Sequence, residues 1–385
     1  MKNFVWPAVL GQRRVKHALL SALRNNRLPH AYLFYGNEGV GKDAMALELA
    51  RVLHCEKDSY EACGVCGSCV KIGSLQHPDV KLVFALPVGR GEKSDDPPLA
   101  KLSENEIKII REQLKLKGMN PYHRISIPRA TIIKINSIRE VRRESSLSTF
   151  DARRRVIIIS NADQMGEEAS NTILKTLEEP SGRTMLILTS AQREVLLPTI
   201  VSRCQNVRFD PLSEEEIRVA LVERNGVGKD RAALVARLGN GSYVRALELL
   251  DDDLARQRQD VILFIKHALG SNVVTLTEEI DKLSAVRYRD SVVRFLTLML
   301  MWFRDVLVLM QGGEVINLDQ EDDLRRFVAK FPDSNIIQTM ADIENAISLV
   351  NRNVYIMLVL LQLSVQLKAN ILTGHQTREA REVTS

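Results

Sequence analysis

Apolar residues recur at helical spacing over residues 9–23, and Ala31-Tyr32-Leu33-Phe34-Tyr35 then has the length and composition of a short buried strand. The strand leads into a glycine-rich turn and a second helical stretch at 44–53, with Met45, Leu47, Leu49 and Ala50 available for packing. Residues 80–85 form another candidate strand. The runs 156–159 and 185–188 are unbroken apolar segments, the pattern of central parallel strands covered on both faces, with a helix at 170–179 between them. Strands alternating with helices over 31–208 predict a doubly wound α/β domain with a parallel sheet.

Beyond Asp210-Pro211 the pattern changes. Ser213 is placed to cap a helix whose first turn, Glu214-Glu215-Glu216, complements the helix dipole, and a small helical domain is expected over 210–252. From Asp253 onward amphipathic stretches run to about residue 372 without strand alternation, predicting an all-helical domain over 253–385. Within the first domain, 1–209, residues 87–96 carry the glycine, proline and charge of an exposed loop. This loop opens an insertion over about 87–129, in which Ser103 and Glu106 are spaced as a capping box.

A chain of 385 residues exceeds what one hydrophobic core organises, in keeping with this division. The longest apolar stretches, 295–303 and 355–361, fall short of the roughly 20 residues a membrane-spanning helix needs. The N-terminal residues lack the apolar core of a secretory signal, so a cytoplasmic location is expected. The net charge of +5 is too small to act as a nucleic-acid footprint unless clustered. The run Arg153-Arg154-Arg155 and the arginines within 139–143 read as solvated faces that make at most contacts to phosphates, because no aromatics interleave them. Of five cysteines, Cys55, Cys63, Cys66 and Cys69 fall close together, which in a reducing compartment favours a metal over disulfides. Cys204 stands apart and reads as a packing residue.

The sharpest chemical signal is Gly36-Asn37-Glu38-Gly39-Val40-Gly41-Lys42, a phosphate-binding loop between a predicted strand and helix. Its glycines turn backbone amides toward phosphate oxygens, and Lys42 would reach the terminal phosphates of ATP or ADP. The next residue should carry the hydroxyl that ligates magnesium, but it is Asp43, a carboxylate that can ligate magnesium yet repels a triphosphate, which leaves weak binding or binding of the diphosphate open. The strand 156–159 should end in an acidic pair that organises magnesium and activates water, and it ends in Ser160-Asn161. Asp163 lies too far along to replace both. Hydrolysis in this chain's own site is therefore expected to be disabled. Thr189-Ser190, at the end of the next strand, are placed to sense a terminal phosphate.

The segment Leu197-Pro198-Thr199-Ile200-Val201-Ser202-Arg203-Cys204 resembles the AAA+ subunits of bacterial DNA sliding-clamp loaders. So do Val9-Leu10-Gly11-Gln12, the run Arg27 through Phe34, His77-Pro78-Asp79, and the run Asn171 through Pro180; the likeness spans 9 to about 250. It implies an AAA+ P-loop domain, a helical lid and a C-terminal oligomerisation domain resembling a collar. It also implies that Arg203 projects into a neighbouring subunit's ATP site, that Arg245 in Gly241-Ser242-Tyr243-Val244-Arg245 is a second sensor of nucleotide, and that the four cysteines hold a structural zinc. Two overlapping C-x-x-C spacings, Cys63 to Cys66 and Cys66 to Cys69, agree with such a site. A retained trans-acting arginine beside a lost acidic pair fits the non-hydrolysing, delta-prime-type branch of the family better than its motor branch. The implied partners are motor and delta subunits in a hetero-oligomer of the DNA polymerase III holoenzyme, the sliding clamp and primed DNA. The alternatives are an active motor subunit using Asp43 and Asp163, and a zinc-dependent DNA-binding protein. Trp302 and Phe303 within an apolar helix suggest a core or a subunit contact, and the resemblance implies burial at a collar-like subunit interface.

Overall fold

The computed structural model describes residues 6–57, 60–145, 154–179, 184–250, 254–285, 289–313, 315, 320–352 and 354–382. They fall into two compact units, Met1–Glu248 and Leu249–Ser385.

The first unit is built on five strands: β1 (Ala31–Tyr35), β2 (Val80–Val83), β3 (Arg155–Ile159), β4 (Thr184–Ser190) and β5 (Gln205–Arg208). They lie in the order β2-β3-β4-β1-β5 with every pair parallel. The register sets Leu33 beside Leu188, and Leu188 beside Ile159, so the three central strands stack apolar residues across the sheet. Every residue of β3 and β4 is buried, which is why they read as unbroken apolar runs. β5 escapes that reading because it is an edge strand with exposed Gln205 and Arg208, paired on one side only.

The helices α1 (Arg13–Arg24), α2 (Lys42–His54) and α3 (Gly67–Gly73) precede β2. The insertion follows β2 and carries α4 (Glu104–Met119), after which α5 (Ile135–Ser145), α6 (Glu167–Glu178) and α7 (Pro198–Arg203) alternate with the remaining strands. Ile138 of α5, Ile173 and Leu177 of α6 and Ile200 of α7 close over Leu33, Ile157 and Leu186 in one core. Each such burial contributes roughly 1.5–3 kcal/mol. Cys204 belongs to this core, and burial pushes its thiol up to about 12, consistent with packing rather than chemistry.

Several family-like segments have structural tasks. Gln12, held at φ 50°, donates its carboxamide to the carbonyls of Val40 and Asp210, tying the loop to the chain that leaves the sheet. His30 bonds to the Leu177 carbonyl through Nε2, and His77 Nδ1 accepts from the Asp79 amide. Arg155 is not solvated as expected: it is buried and paired with Asp79 at 3.2 Å, because β3 lies inside the sheet. Arg154 donates to the Leu28 carbonyl, and Arg153 lies outside the described residues, as does Pro180.

The insertion has a small core of its own, Leu86, Leu102, Ile110 and Ile127. Both halves of the Ser103–Glu106 capping box form at the start of α4. Lys134 pins its opening loop by donating to the carbonyls of Pro87 and Pro98. At the other end of α4, a Cβ added to Gly118 would fall 2.7 Å from the Gly73 carbonyl oxygen, so α4 meets the last residue of α3 at a distance only glycine allows.

Three short helices complete the unit: α8 (Glu214–Asn225), α9 (Lys229–Leu238) and α10 (Tyr243–Glu248). Ser213 caps α8, its Oγ accepting from the Glu216 amide at 3.2 Å while Glu216 Oε2 accepts from the Ser213 amide at 2.9 Å. Ser213→Ala should lower stability by about 1 kcal/mol, read as a smaller urea midpoint at unchanged m-value.

The second unit consists, among the described residues, of α11 (Leu254–Leu269), α12 (Val273–Ser284), α13 (Arg289–Met310), α14 (Glu321–Lys330), α15 (Ile336–Asn351) and α16 (Ile356–Glu382). Trp302 and Phe303 of α13 do not face an interface as expected. They are 3% and 0% exposed within the unit, where both rings meet Phe327 of α14 edge-on. The two adjacent rings are packed within the core of their own unit. No helix among the described residues is long and apolar enough to cross a membrane.

Candidate functional site

The strand order makes β3, β4 and β1 consecutive neighbours, so their carboxyl ends meet at one rim of the sheet. β1 runs into the glycine loop, β3 into Ser160-Asn161 and β4 ends at Thr189-Ser190. The groups singled out in sequence are thereby brought together around Asp43.

Gly36, Gly39 and Gly41 all have positive φ, and Gly41, at φ 100°, is the N-cap of α2. Lys42 is 6% exposed, and its Nζ donates to the carbonyls of Gly36 and Asn37, 2.7 Å from each. Burial lowers the Lys42 pKa, and the charges of Asp43, Glu38 and Asp163 oppose that shift. The loop lysine is thus engaged with its own backbone.

The Asp43 carboxylate is also engaged. Its Oδ2 accepts from Ser160 Oγ at 2.7 Å and from Lys117 Nζ at 2.9 Å, and its Oδ1 accepts from Thr189 Oγ1 at 2.8 Å. Burial works to raise the Asp43 pKa; the Lys117 charge and the hydrogen bonds from Lys117, Ser160 and Thr189 outweigh it and hold the carboxyl below its ordinary range. Asp163, the residue available to replace the missing acids, accepts from the Ala191 amide at 3.2 Å. Two hydroxyls and an ammonium take three acceptor positions of the carboxylate at the place of the magnesium ligand, and Ser160-Asn161 stand where an acidic pair would end β3.

Sequence reasoning missed Lys117 and Tyr122. The hydroxyl of Tyr122 accepts from the Leu10 amide at 2.7 Å and lies 2.7 Å from where a Cβ on Gly41 would fall. One signal was available for Lys117: it lies seven residues after Ile110 and three after Leu114, on the apolar side of an amphipathic helix where a lysine is out of place. Arg245 is exposed on α10, and it is Ser242, Tyr243 and Val244 that meet the loop, with the Tyr243 amide donating to the Gly39 carbonyl at 3.1 Å.

The four cysteines come together as their spacing implies. Cys55 ends α2, Cys66 caps α3, and the sulfurs of Cys55, Cys63, Cys66 and Cys69 lie within 4.8 Å of one another. A tetrahedral zinc with bonds near 2.3 Å needs sulfurs ~3.8 Å apart; Cys63 and Cys69 are 4.0 Å apart. Backbone amides of Cys63, Cys66 and Cys69 point at the sulfurs of Cys55, Cys63 and Cys66, stabilising thiolates. Burial, aided by the neighbouring thiols Cys66 and Cys55, pushes the Cys69 thiol up to about 12, a penalty that a dication would reverse. The donor set fits a closed, structural four-thiolate site.

Arg203 ends α7 with its side chain 36% exposed. Its guanidinium pairs with Glu178 at 2.8 Å and donates to the Thr199 carbonyl at 3.1 Å. On α5, Arg139, Arg142 and Arg143 line an open cleft of 820 Å³ together with Lys175 of α6.

A parallel sheet in the order β2-β3-β4-β1-β5, a glycine loop after β1 and polar ends on β3 and β4 define the α/β core of an AAA+ P-loop protein. Residues 11–213 match the family model described as DNA polymerase III, delta subunit, and the chain belongs to that family. It is 29% identical over 306 residues to the DNA polymerase III subunit delta' of Bacillus subtilis, covering 79% of each chain. Against the delta' subunit of Pseudomonas aeruginosa it is 28% identical over 247 residues, covering 63% of this chain and 62% of the other. The gamma/tau subunit of Mycobacterium bovis is 29% identical over 324 residues, but the match spans about half of that protein, 49%, and 78% of this chain.

Proposed function

We propose that this chain is a non-hydrolysing subunit of a DNA polymerase III clamp loader, working beside motor and delta subunits to open the sliding clamp and place it on primed DNA. The observation that carries the reading is the state of Asp43: its carboxylate is consumed by Ser160, Thr189 and Lys117, where an active site needs a magnesium ligand and a water-activating acid. Arg203 is the group the chain contributes. A guanidinium stays charged at every relevant pH and offers a fork of donors to oxygens that gain negative charge during phosphoryl transfer. Its pairing with the partly exposed Glu178 is a surface ion pair, worth about 0–1 kcal/mol, and is readily exchanged for a phosphate on a neighbouring subunit. Zinc held by Cys55, Cys63, Cys66 and Cys69 would fix the turn between α2 and α3, with all four positions filled by protein and none open for catalysis. Arg142, Arg143 and Lys175 around the cleft on α5 and α6 would make at most contacts to the phosphate backbone of DNA, since Asp95, Glu178 and Glu179 line the same cleft and Asp95 pairs with Arg139.

The reading is tested by magnesium-dependent ATP turnover of the purified chain. The expected result is no turnover by the chain alone and stimulated turnover once it is added to motor subunits, delta, clamp and primed DNA. Robust turnover by the chain alone, abolished by Lys42→Ala, would overturn it in favour of an active motor subunit.

A further inference from the structure

Asp43 stands directly after the loop lysine, the position from which a P-loop presents its magnesium ligand, and Ser160 stands where the acidic pair would organise the same ion. These two are joined directly at 2.7 Å, and the cation that shares the same Asp43 oxygen comes from the insertion. Lys117, in the last turn of α4, brings its ammonium to 2.9 Å from Asp43 and also donates to the His123 carbonyl at 2.9 Å. Its side chain is 5% exposed. A fixed, buried cation therefore sits beside the metal-ligating position. The turn after α4 adds two more contacts: Tyr122 lies against Gly41, and Arg124 pairs with Glu38 of the loop at 3.1 Å. Three residues of one insertion thus meet three successive parts of the loop and its helix, while Lys42 is folded onto the loop's own carbonyls.

We propose that residues 99–129 form a built-in plug of this chain's nucleotide site, with the Lys117 ammonium standing in for the magnesium ion and Tyr122 covering the mouth of α2. The inference extends the non-hydrolysing reading above and rests on it. It assigns the lack of nucleotide chemistry to an occupied site as well as to missing catalytic acids. For a magnesium–nucleotide to enter, Lys117 must leave Asp43, which strips a buried carboxylate of its counter-charge, and Tyr122 must swing off Gly41. A dication approaching the intact pair meets a like charge within a few ångströms.

The test is calorimetric titration of the full chain with MgATP and MgADP. Wild type is expected to show no saturable binding below millimolar concentration. Lys117→Met removes the cation while keeping most of the hydrocarbon stem, and it should tighten binding at least tenfold; Lys117→Arg, which retains the charge, should not. If Lys117→Met fails to fold by circular dichroism and thermal melting, the double variant Asp43→Thr, Lys117→Met serves instead. It removes both charges together and restores the loop hydroxyl, and it should bind at least tenfold more tightly than wild type. Micromolar binding by wild type, or folded variants that bind no better than wild type, would sink the plug. Wild-type binding without turnover would sink the plug alone, whereas binding with turnover would take the non-hydrolysing reading down with it.

Discussion

Arg203→Ala is expected to cut ATP turnover at the adjoining subunit's site by about 10³-fold, the lower end of what arginines supplied in trans are worth. The effect should appear only in the assembled complex with clamp and primed DNA, because the proposed function leaves the chain alone no turnover to lose. The substitution removes an ion pair to Glu178 and a hydrogen bond to the Thr199 carbonyl, both at the partly exposed end of α7, so the fold should survive with a stability change within about 1 kcal/mol. Arg203→Lys should recover only a small part of the rate, since an ammonium is a point charge without the planar fork. Single-turnover measurements on the complex separate the two explanations. A loss in the chemical step with assembly intact by gel filtration supports a trans-acting arginine; a loss that follows weaker assembly assigns Arg203 to the interface.

Removing the zinc proposed for the four cysteines should be the second large perturbation. The four thiols are packed within 4.8 Å, with Cys55, Cys66 and Cys69 buried, and without a dication the site combines sulfur crowding with a Cys69 thiol pushed up to about 12. The purified chain should carry one equivalent of zinc by elemental analysis. Chelation, or Cys69→Ser, should release it and destabilise the first unit by several kcal/mol, of the order that structural four-cysteine sites contribute. Loss of protection should centre on 55–73 in hydrogen exchange, while the sheet core of Leu33, Ile157 and Leu188 retains slow exchange. A zinc-free chain with unchanged thermal stability would remove the metal from the account of this fold.

Much of this architecture was legible in the sequence because burial on both faces leaves a plain trace. The runs that became β1, β3 and β4 are apolar throughout, and the glycine loop sits between a strand and a helix as its chemistry demands. The capping box at Ser103 and the N-cap at Ser213 were local signals; the structure forms both and adds Glu216 to make a second box at Ser213. β5 was illegible because an edge strand need not be apolar. The environment of Arg155 was misread because a charged residue at the start of a buried strand looks, in sequence, like the end of a basic run; only the fold brings Asp79 to it. Trp302 and Phe303 were misplaced for a related reason, since an apolar stripe does not say whether its cover is another helix of the same chain or a partner. Within the candidate site, Ser160 and Thr189 from the strand ends meet at Asp43, whereas the Ser190 hydroxyl accepts from the Gln192 amide. Lys117 left only the trace of a lysine on an apolar helix face and Tyr122 left none, because their partners lie 74 and 112 positions away along the chain.

The close approach of Gly118 to the Gly73 carbonyl has a consequence for ancestry. A side chain at 118 would wedge the insertion away from the cysteine-bearing segment, so the two decorations are sterically keyed to each other although they lie on opposite sides of β2 in the chain. Lineages that lose one are released from the glycine; lineages that keep both must keep it. Among related chains, glycine at this position should therefore be inherited together with the four cysteines and the α4 segment, and should drift freely where either has been deleted.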